Sequence, residues 1–252
     1  MREYLEMEIP GRGLVRADRN PETWPNRDGG CGFVPHWALV ADPDQPRTYF
    51  DPDELAELGE SIKTEGQREI LTVDLLTDVE RELYAQKNAV PRYILVSGER
   101  RWRASGPGYA DLPLVEIRLR RYENPDDRHL DAVLLNESRV DLAPLDRARQ
   151  YARLLEGRCR GNKSLLCKMI GRSPPDVDGY LSLNNLSPLA KDAMHPSRKK
   201  EALKYGTALV LAKLHASLQD NFVPRIMAGE AGRTSTEQRR WIAIQLVNRG
   251  GP

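Results

Sequence analysis

The chain has 252 residues, 40% hydrophobic and 30% charged, enough apolar material for one or two ordinary cores. It contains no apolar run long enough to cross a bilayer, and residues 1–10 place acids where a signal peptide needs an apolar stretch, so a soluble, cytoplasmic protein without a membrane partner is expected. The net charge of +1 conceals an asymmetry: residues 1–143 hold 19 Lys+Arg against 28 Asp+Glu (−9), and residues 144–252 hold 19 against 9 (+10), the pattern of an acidic module beside a nucleic-acid-binding one.

Residues 1–33 carry glycine and proline clusters, such as Pro10-Gly11-Arg12-Gly13, without an apolar period, and are expected to form a flexible arm. Residues 33–41 read as a strand. A helix is predicted over residues 50–62, with Asp51 as N-cap, Pro52 at the first helical position and Leu55, Leu58 and Ile62 on one stripe. Residues 70–75, 93–97 and 114–119 read as three further strands. Residues 74–92 are long for a hairpin connection and helix-like around 78–86, so they read as an insertion. From Leu130 the apolar spacing turns helical: Leu130, Val133 and Leu134, then Leu145, Ala148, Tyr151, Ala152 and Leu155. The three cysteines, Cys31, Cys159 and Cys167, form no close pair and indicate neither a disulfide framework nor a zinc knuckle.

Two segments carry chemistry. Ser97-Gly98-Glu99-Arg100-Arg101-Trp102-Arg103 sets three arginines and a glycine directly behind an apolar strand; the glycine permits close backbone approach, and guanidinium forks match phosphate oxygens. Farther on, residues 163–186 have the layout of a helix-turn-helix. Leu166, Met169 and Ile170 belong to one helix, Gly171 makes the turn, Ser173 caps a second helix with Pro174 at its first position, and Val177, Leu181 and Leu183 or Leu186 anchor it. An ordinary helical hairpin is the bland alternative, since Asp176 and Asp178 make the second helix poorly basic.

Over roughly residues 34–230 these segments resemble ParB-type partition proteins. Asp44-Gln45-Pro46-Arg47, then Ser61-Ile62-Lys63 with Gly66, then Gly98-Glu99-Arg100-Arg101-Trp102-Arg103-Ala104, then Asn136-Glu137-Ser138-Arg139-Val140-Asp141-Leu142-Ala143-Pro144, and finally Leu186-Ser187-Pro188 recur in the family's order. The resemblance implies an α+β fold: a small mixed-sheet ParB/sulfiredoxin-like domain at 34–128, then an all-helical domain at 129–252 containing the helix-turn-helix. It implies CTP and Mg2+ bound through Gly66, Ser97, Gly98, Glu99, Arg100, Arg101, Arg103, Asn136 and Arg139, with Asn136 as a magnesium ligand. It implies DNA contacts from Lys163, Lys168, Arg172, Ser173, Asp176, Arg198, Lys199 and Lys200. It further implies a homodimer that loads on a palindromic DNA site, closes as a clamp, and works with a ParA-type ATPase in plasmid or chromosome segregation.

Two departures bear on turnover. Leu135 stands where the family usually has a glutamate before the asparagine, and Glu69 where it has the glutamine of Gly-x-x-Gln-Pro. Glu69 is the candidate catalytic carboxylate, and CTP hydrolysis is expected to be slow or undetectable. The chain is also expected to lack the family's separate C-terminal dimerisation domain. Two alternatives stay open: a helix-turn-helix regulator with a decayed nucleotide site, and a nucleotide-dependent small-molecule kinase on the same fold. A sulfiredoxin would need a cysteine at the arginine box, and none is there.

Overall fold

A computed structural model describes residues 4–10, 12–45, 47–84, 91–137 and 142–248. The chain divides into two compact units, residues 1–45 with 50–135 and residues 46–49 with 136–252. No helix among the described residues is long and apolar enough to cross a membrane.

The first unit runs β1 (Tyr4–Ile9), β2 (Gly13–Asp18), β3 (Cys31–Pro35), β4 (Leu39–Val40), α1 (Pro52–Glu65), β5 (Leu71–Leu75), α2 (Asp78–Tyr84), β6 (Tyr93–Ser97), α3 (Glu99–Ser105), β7 (Leu114–Leu119) and α4 (Pro125–Glu137), whose last two residues fall in the second unit. Five strands form one mixed sheet in the order β3-β7-β5-β6-β4. The pairs β3–β7 and β5–β6 are antiparallel, whereas β5–β7 and β4–β6 are parallel.

The single strand expected at 33–41 is two strands, split by a 3-10 turn at His36–Ala38 and placed on opposite edges of the sheet. Four Cα steps separate Pro35 from Leu39 and span at most about 14 Å. The outer strands of a flat five-stranded sheet would stand about 19 Å apart, so this sheet curls until its edges approach.

The described residues among the first 33 do not form the flexible arm expected from their glycines and prolines. β1 and β2 pair as an antiparallel hairpin, and Ile9, Ala17 and Trp24 are buried. Trp24 joins the core with Val34 and Tyr93, its indole donates to the Asp18 carbonyl at 2.6 Å, and the Tyr93 hydroxyl donates to the Pro25 carbonyl at 2.7 Å. One buried indole supplies enough apolar area to anchor a segment that has no apolar period.

Helix α1 forms where expected, with the Asp51 carboxylate accepting from the Asp53 amide at 3.0 Å and Leu55 and Ile62 buried. The face that α4 buries was not legible: it carries Arg128 and His129 beside Ala132 and Val133, while Leu134 is exposed. Arg128 is matched by three carboxylates, Glu80 at 2.7 Å, Asp42 at 3.3 Å and Asp74 at 3.7 Å.

The second unit is helical: α5 (Pro144–Glu156), α6 (Lys163–Ile170), α7 (Pro174–Ser182), α8 (Pro188–Ala193), α9 (Tyr205–Leu211), α10 (Ala216–Met227) and α11 (Ser235–Asn248). Leu183, Leu186, Leu211, Phe222 and Ile242 are at its core. Residues 46–49 join this unit because the Thr48 hydroxyl donates to the buried Asp146 carboxylate at 2.8 Å. An α+β fold with a helical second part is thus what the chain adopts.

Candidate functional site

Strand β6 ends at Ser97 and α3 begins at Glu99, leaving Gly98 alone to turn the chain. Gly98 has φ 98° and ψ 16°. A Cβ at this position would lie 2.7 Å from Leu71 Cδ2 on the neighbouring strand. The left-handed backbone and the close approach each call for glycine.

From this turn α3 presents Arg100, Arg101 and Arg103. Glu99 is buried and accepts from Arg103 Nε at 2.8 Å and Nη2 at 2.6 Å, and the Arg103 guanidinium lies over the Phe50 ring, 4.5 Å from its centroid. Arg100 Nη2 stands 3.3 Å from a carboxylate oxygen of Glu54, and Arg101 pairs with Glu69. Behind the arginines, the Trp102 ring stacks on His36 with centroids 5.3 Å apart. Burial lowers the His36 pKa, which favours a neutral ring whose Nε2–H donates to the Trp102 carbonyl at 2.9 Å.

The segment after α1 meets the same cluster. Gly66 closes α1 with φ 77°, and a Cβ there would lie 2.9 Å from Ile9 of the hairpin. Gln67 clamps the segment onto β7: its amide donates to the Glu116 carbonyl at 2.8 Å and to the Glu69 carbonyl at 3.0 Å, and its oxygen accepts from the Glu116 amide at 3.0 Å. Arg12 of the hairpin turn pairs with the Glu116 side chain at 2.6 Å. Glu69 is therefore brought to the arginine box, whereas Gly66 packs against Ile9 of the hairpin.

Sequence reasoning missed Glu54, Gln67 and His36. Glu54 occupies the first turn of an amphipathic helix and reads as a solvated acid. Gln67 and His36 act through hydrogen bonds made after the sheet has formed, and no periodicity marks such contacts.

Asn136 falls in the second unit, and Arg139 lies outside the described residues. Leu135 is 40% exposed and has no oxygen to offer. Glu137, beside Asn136, is committed within the second unit: it accepts from the Tyr151 hydroxyl at 2.8 Å and from Arg172 Nε at 2.9 Å, with Arg147 Nε at 3.4 Å. Burial and this acceptor push the Tyr151 hydroxyl pKa up.

The helix-turn-helix layout is present. Asn162 caps α6 through the Leu165 amide, Gly171 turns the chain with φ 68°, and Ser173 caps α7 at Pro174. Val177, Leu183 and Leu186 are buried as anchors. Asp176 and Asp178 are exposed on α7, with Asp176 accepting from the Ser173 hydroxyl at 2.7 Å. Of the residues expected on phosphates, Lys163 pairs with Asp178 at 2.5 Å, Arg198 with Asp192 at 2.5 Å and Arg172 with Glu137, while Lys168, Lys199 and Lys200 are exposed.

Comparison with known proteins agrees with this layout. The family model of the ParB N-terminal domain matches residues 31–137. A probable chromosome-partitioning protein ParB of Mycobacterium leprae is 31% identical over 263 residues, covering 94% of this chain and 73% of that protein. The chain belongs to the ParB family. It spans 61% and 45% of two further curated ParB relatives. Among solved structures, the Pnob8-like ParB-N domain shares the fold at 14% identity, with 85% of this chain and 96% of that chain covered and a TM-score of 0.52. A C-terminally truncated ParB from Caulobacter crescentus complexed with CTP-gamma-S matches 79% of this chain and 99% of its own at 24% identity and a TM-score of 0.36. Within its arginine box the chain places Glu69 against Arg101.

Proposed function

We propose that this ParB binds CTP through its first unit and double-stranded DNA through the helix-turn-helix of its second, acting as a partition protein on the nucleoid. The observation that carries the nucleotide assignment is the glycine-turned strand-to-helix junction at Gly98, with Arg100, Arg101 and Arg103 in the helix that follows. Backbone amides at such a junction and guanidinium forks favour phosphate oxygens together. The first unit would hold the triphosphate with residues 97–103 and the Gly66 segment.

Among the described residues no three His, Cys, Asp or Glu side chains group to hold a metal ion. Magnesium would enter with the triphosphate, since it keeps waters and takes phosphate oxygens readily; Asn136 is assigned to it by family likeness alone. Arg139 is assigned to phosphate by family likeness.

On DNA, α7 would enter the major groove, where exposed acids such as Asp176 accept from cytosine amino groups, while Lys168, Lys199 and Lys200 meet phosphates. The surface pairs of Lys163 and Arg198 are weak enough to exchange for phosphate, whereas Glu137 holds Arg172 in place. A second copy of the chain and a ParA-type ATPase complete the assignment as partners, on family membership. Leu135 supplies neither an oxygen ligand nor a proton acceptor, so nucleotide binding would drive conformational change with little turnover.

Calorimetric titration of the protein with CTP, ATP, GTP and UTP in magnesium tests the assignment. Selective CTP binding is expected; affinity for none of the four would favour a DNA-binding regulator with a decayed site, the alternative that Leu135 and the Glu69–Arg101 pair keep in view.

A further inference from the structure

Helix α7 offers a DNA groove acceptors and little else. Over Pro174–Ser182 it carries no lysine, arginine, asparagine or glutamine. Its exposed acids are Asp176 and Asp178, and the hydroxyls at its two ends donate internally, Ser173 to Asp176 and Ser182 to the Gly179 carbonyl, both at 2.7 Å. The Tyr180 hydroxyl is taken up by Arg147, whose Nη1 donates to it at 3.2 Å. Carboxylates match the amino groups of cytosine and adenine, but guanine shows only acceptors, N7 and O6, in the major groove. A donor for guanine at this surface has to come from another element.

Helix α9 supplies one. Gly179 stands inside α7, where glycine is a poorer helix former than alanine, and its φ is not positive, so the backbone does not call for it. A Cβ there would lie 2.9 Å from the Tyr205 hydroxyl oxygen and 3.6 Å from Leu209 Cδ2. The Tyr205 phenol thus occupies the notch that a side chain at 179 would fill. Its ring packs on Tyr180 with centroids 5.1 Å apart, and the start of α9 is seated on α11, where a Cβ at Gly206 would lie 2.6 Å from Ser235 Oγ.

No group among the described residues hydrogen-bonds the Tyr205 hydroxyl, and it is not sealed from solvent. Burial pushes its pKa up to about 12, with Tyr180 and the Asp176 carboxylate adding to the rise and Arg147 and Arg172 opposing it. At neutral pH the phenol therefore keeps its proton and can donate. Asp176 and Gly179 are one turn apart on α7 and share a face. The hydroxyl accordingly lies beside the leading end of α7, the part of a recognition helix that meets base edges.

We propose that Tyr205 is a specificity-determining residue that donates from α9, through the notch at Gly179, to a guanine in the major groove. This rests on the DNA-reading role of the helix-turn-helix proposed above. Acceptor and donor then stand side by side: Asp176 takes an amino hydrogen of one base, and Tyr205 donates to N7 or O6 of a guanine. The hydroxyl gives up no internal hydrogen bond to do so.

The test begins with selection of a random duplex library on the full-length chain, for wild type, Y205F and G179A, followed by anisotropy titrations of the wild-type site and an unrelated duplex. The wild-type site should hold a guanine whose preference relaxes in Y205F. Y205F should bind that site about three- to tenfold more weakly, the worth of one hydrogen bond. Its affinity for the unrelated duplex, its salt slope and its thermal midpoint should be unchanged, because the lost group is neutral and has no partner in the protein. G179A, whose methyl displaces the phenol, should relax the same position, and adding Y205F to it should cost little more. A Y205F variant that selects the wild-type site with wild-type affinity overturns this proposal alone, as does an equal loss on both duplexes, which would put the hydroxyl on the DNA backbone. Absence of any selected site for wild type overturns the DNA-reading role of α7 along with it.

Discussion

Glu137 accepts from Arg172 Nε at 2.9 Å, tying the last residue of α4 to the turn that leads into α7. The same carboxylate takes the Tyr151 hydroxyl at 2.8 Å and faces Arg147, whose side chain is 8% exposed. This one carboxylate, 11% exposed, thus links α5 to the turn of the helix-turn-helix.

Removing that anion should cost far more than removing its exposed partner. Glu137→Ala removes the carboxylate that Tyr151, Arg172 and Arg147 share, a loss of about 3–5 kcal/mol, as for broken buried pairs. Arg172→Ala leaves Glu137 with Tyr151 and Arg147 and should cost about 1–2 kcal/mol. Urea denaturation of the two variants checks the order; equal losses would show that Glu137 serves Arg172 alone.

The cluster around Arg128 predicts an acid-limb effect. Burial pushes the Glu80 carboxyl pKa up, but the hydrogen bonds from Arg128 and from Thr77 outweigh it and hold the pKa below its ordinary value. A depressed folded-state pKa adds stability above the unfolded carboxylate value, and that stability disappears as pH falls through the folded value. Asp74 has the opposite sign: burial raises its pKa, so its contribution is present at low pH and is lost as pH rises through the folded value. Glu80→Gln should therefore flatten the fall in stability at acid pH, read from thermal midpoints across pH 3–7 (roughly the carboxylate range). A limb as steep as wild type would assign the loss to other carboxylates.

Lys199 and Lys200 should act on DNA without regard to sequence. Phosphate contacts release counterions, at a slope of about 0.9 per contact in a log–log plot of affinity against salt. K199A/K200A should weaken cognate and unrelated duplexes alike and flatten that slope by about two. If only one sequence were affected, the pair would be reading bases.

Turnover should respond at Leu135. Leu135→Glu restores the carboxylate usual before the asparagine and should raise phosphate release from CTP above the wild-type level, followed with a phosphate sensor. Wild-type release already at the rate of the variant would mean that another carboxylate, with Glu69 and Glu137 the first to examine, does the work.

Much of the first unit was legible because its strands and α1 carry local signals: the Asp51-Pro52 cap, the Leu55 and Ile62 stripe, and the strand at Tyr93–Ser97 are as read. The arginine box and the Gly171 turn were legible for the same reason, since left-handed glycines and caps are properties of a few neighbouring residues. What escaped depends on distant partners. Trp24 orders a segment with no period by entering a core built from β3 and β6, and Arg128 is buried because Asp42, Asp74 and Glu80 converge on it from three other places in the chain. Likewise, nothing local to Lys163, Arg172 or Arg198 announced that Asp178, Glu137 and Asp192 would take them up.

The arginine box is the centre of the functional account, and R100A/R101A tests it most directly. Calorimetric titration of wild type and this variant with CTP and magnesium, alongside thermal melts of both, should show CTP affinity abolished in the variant at a nearly unchanged midpoint, because both side chains are partly exposed and their pairs lie at the surface. Undiminished CTP affinity in R100A/R101A would contradict the account.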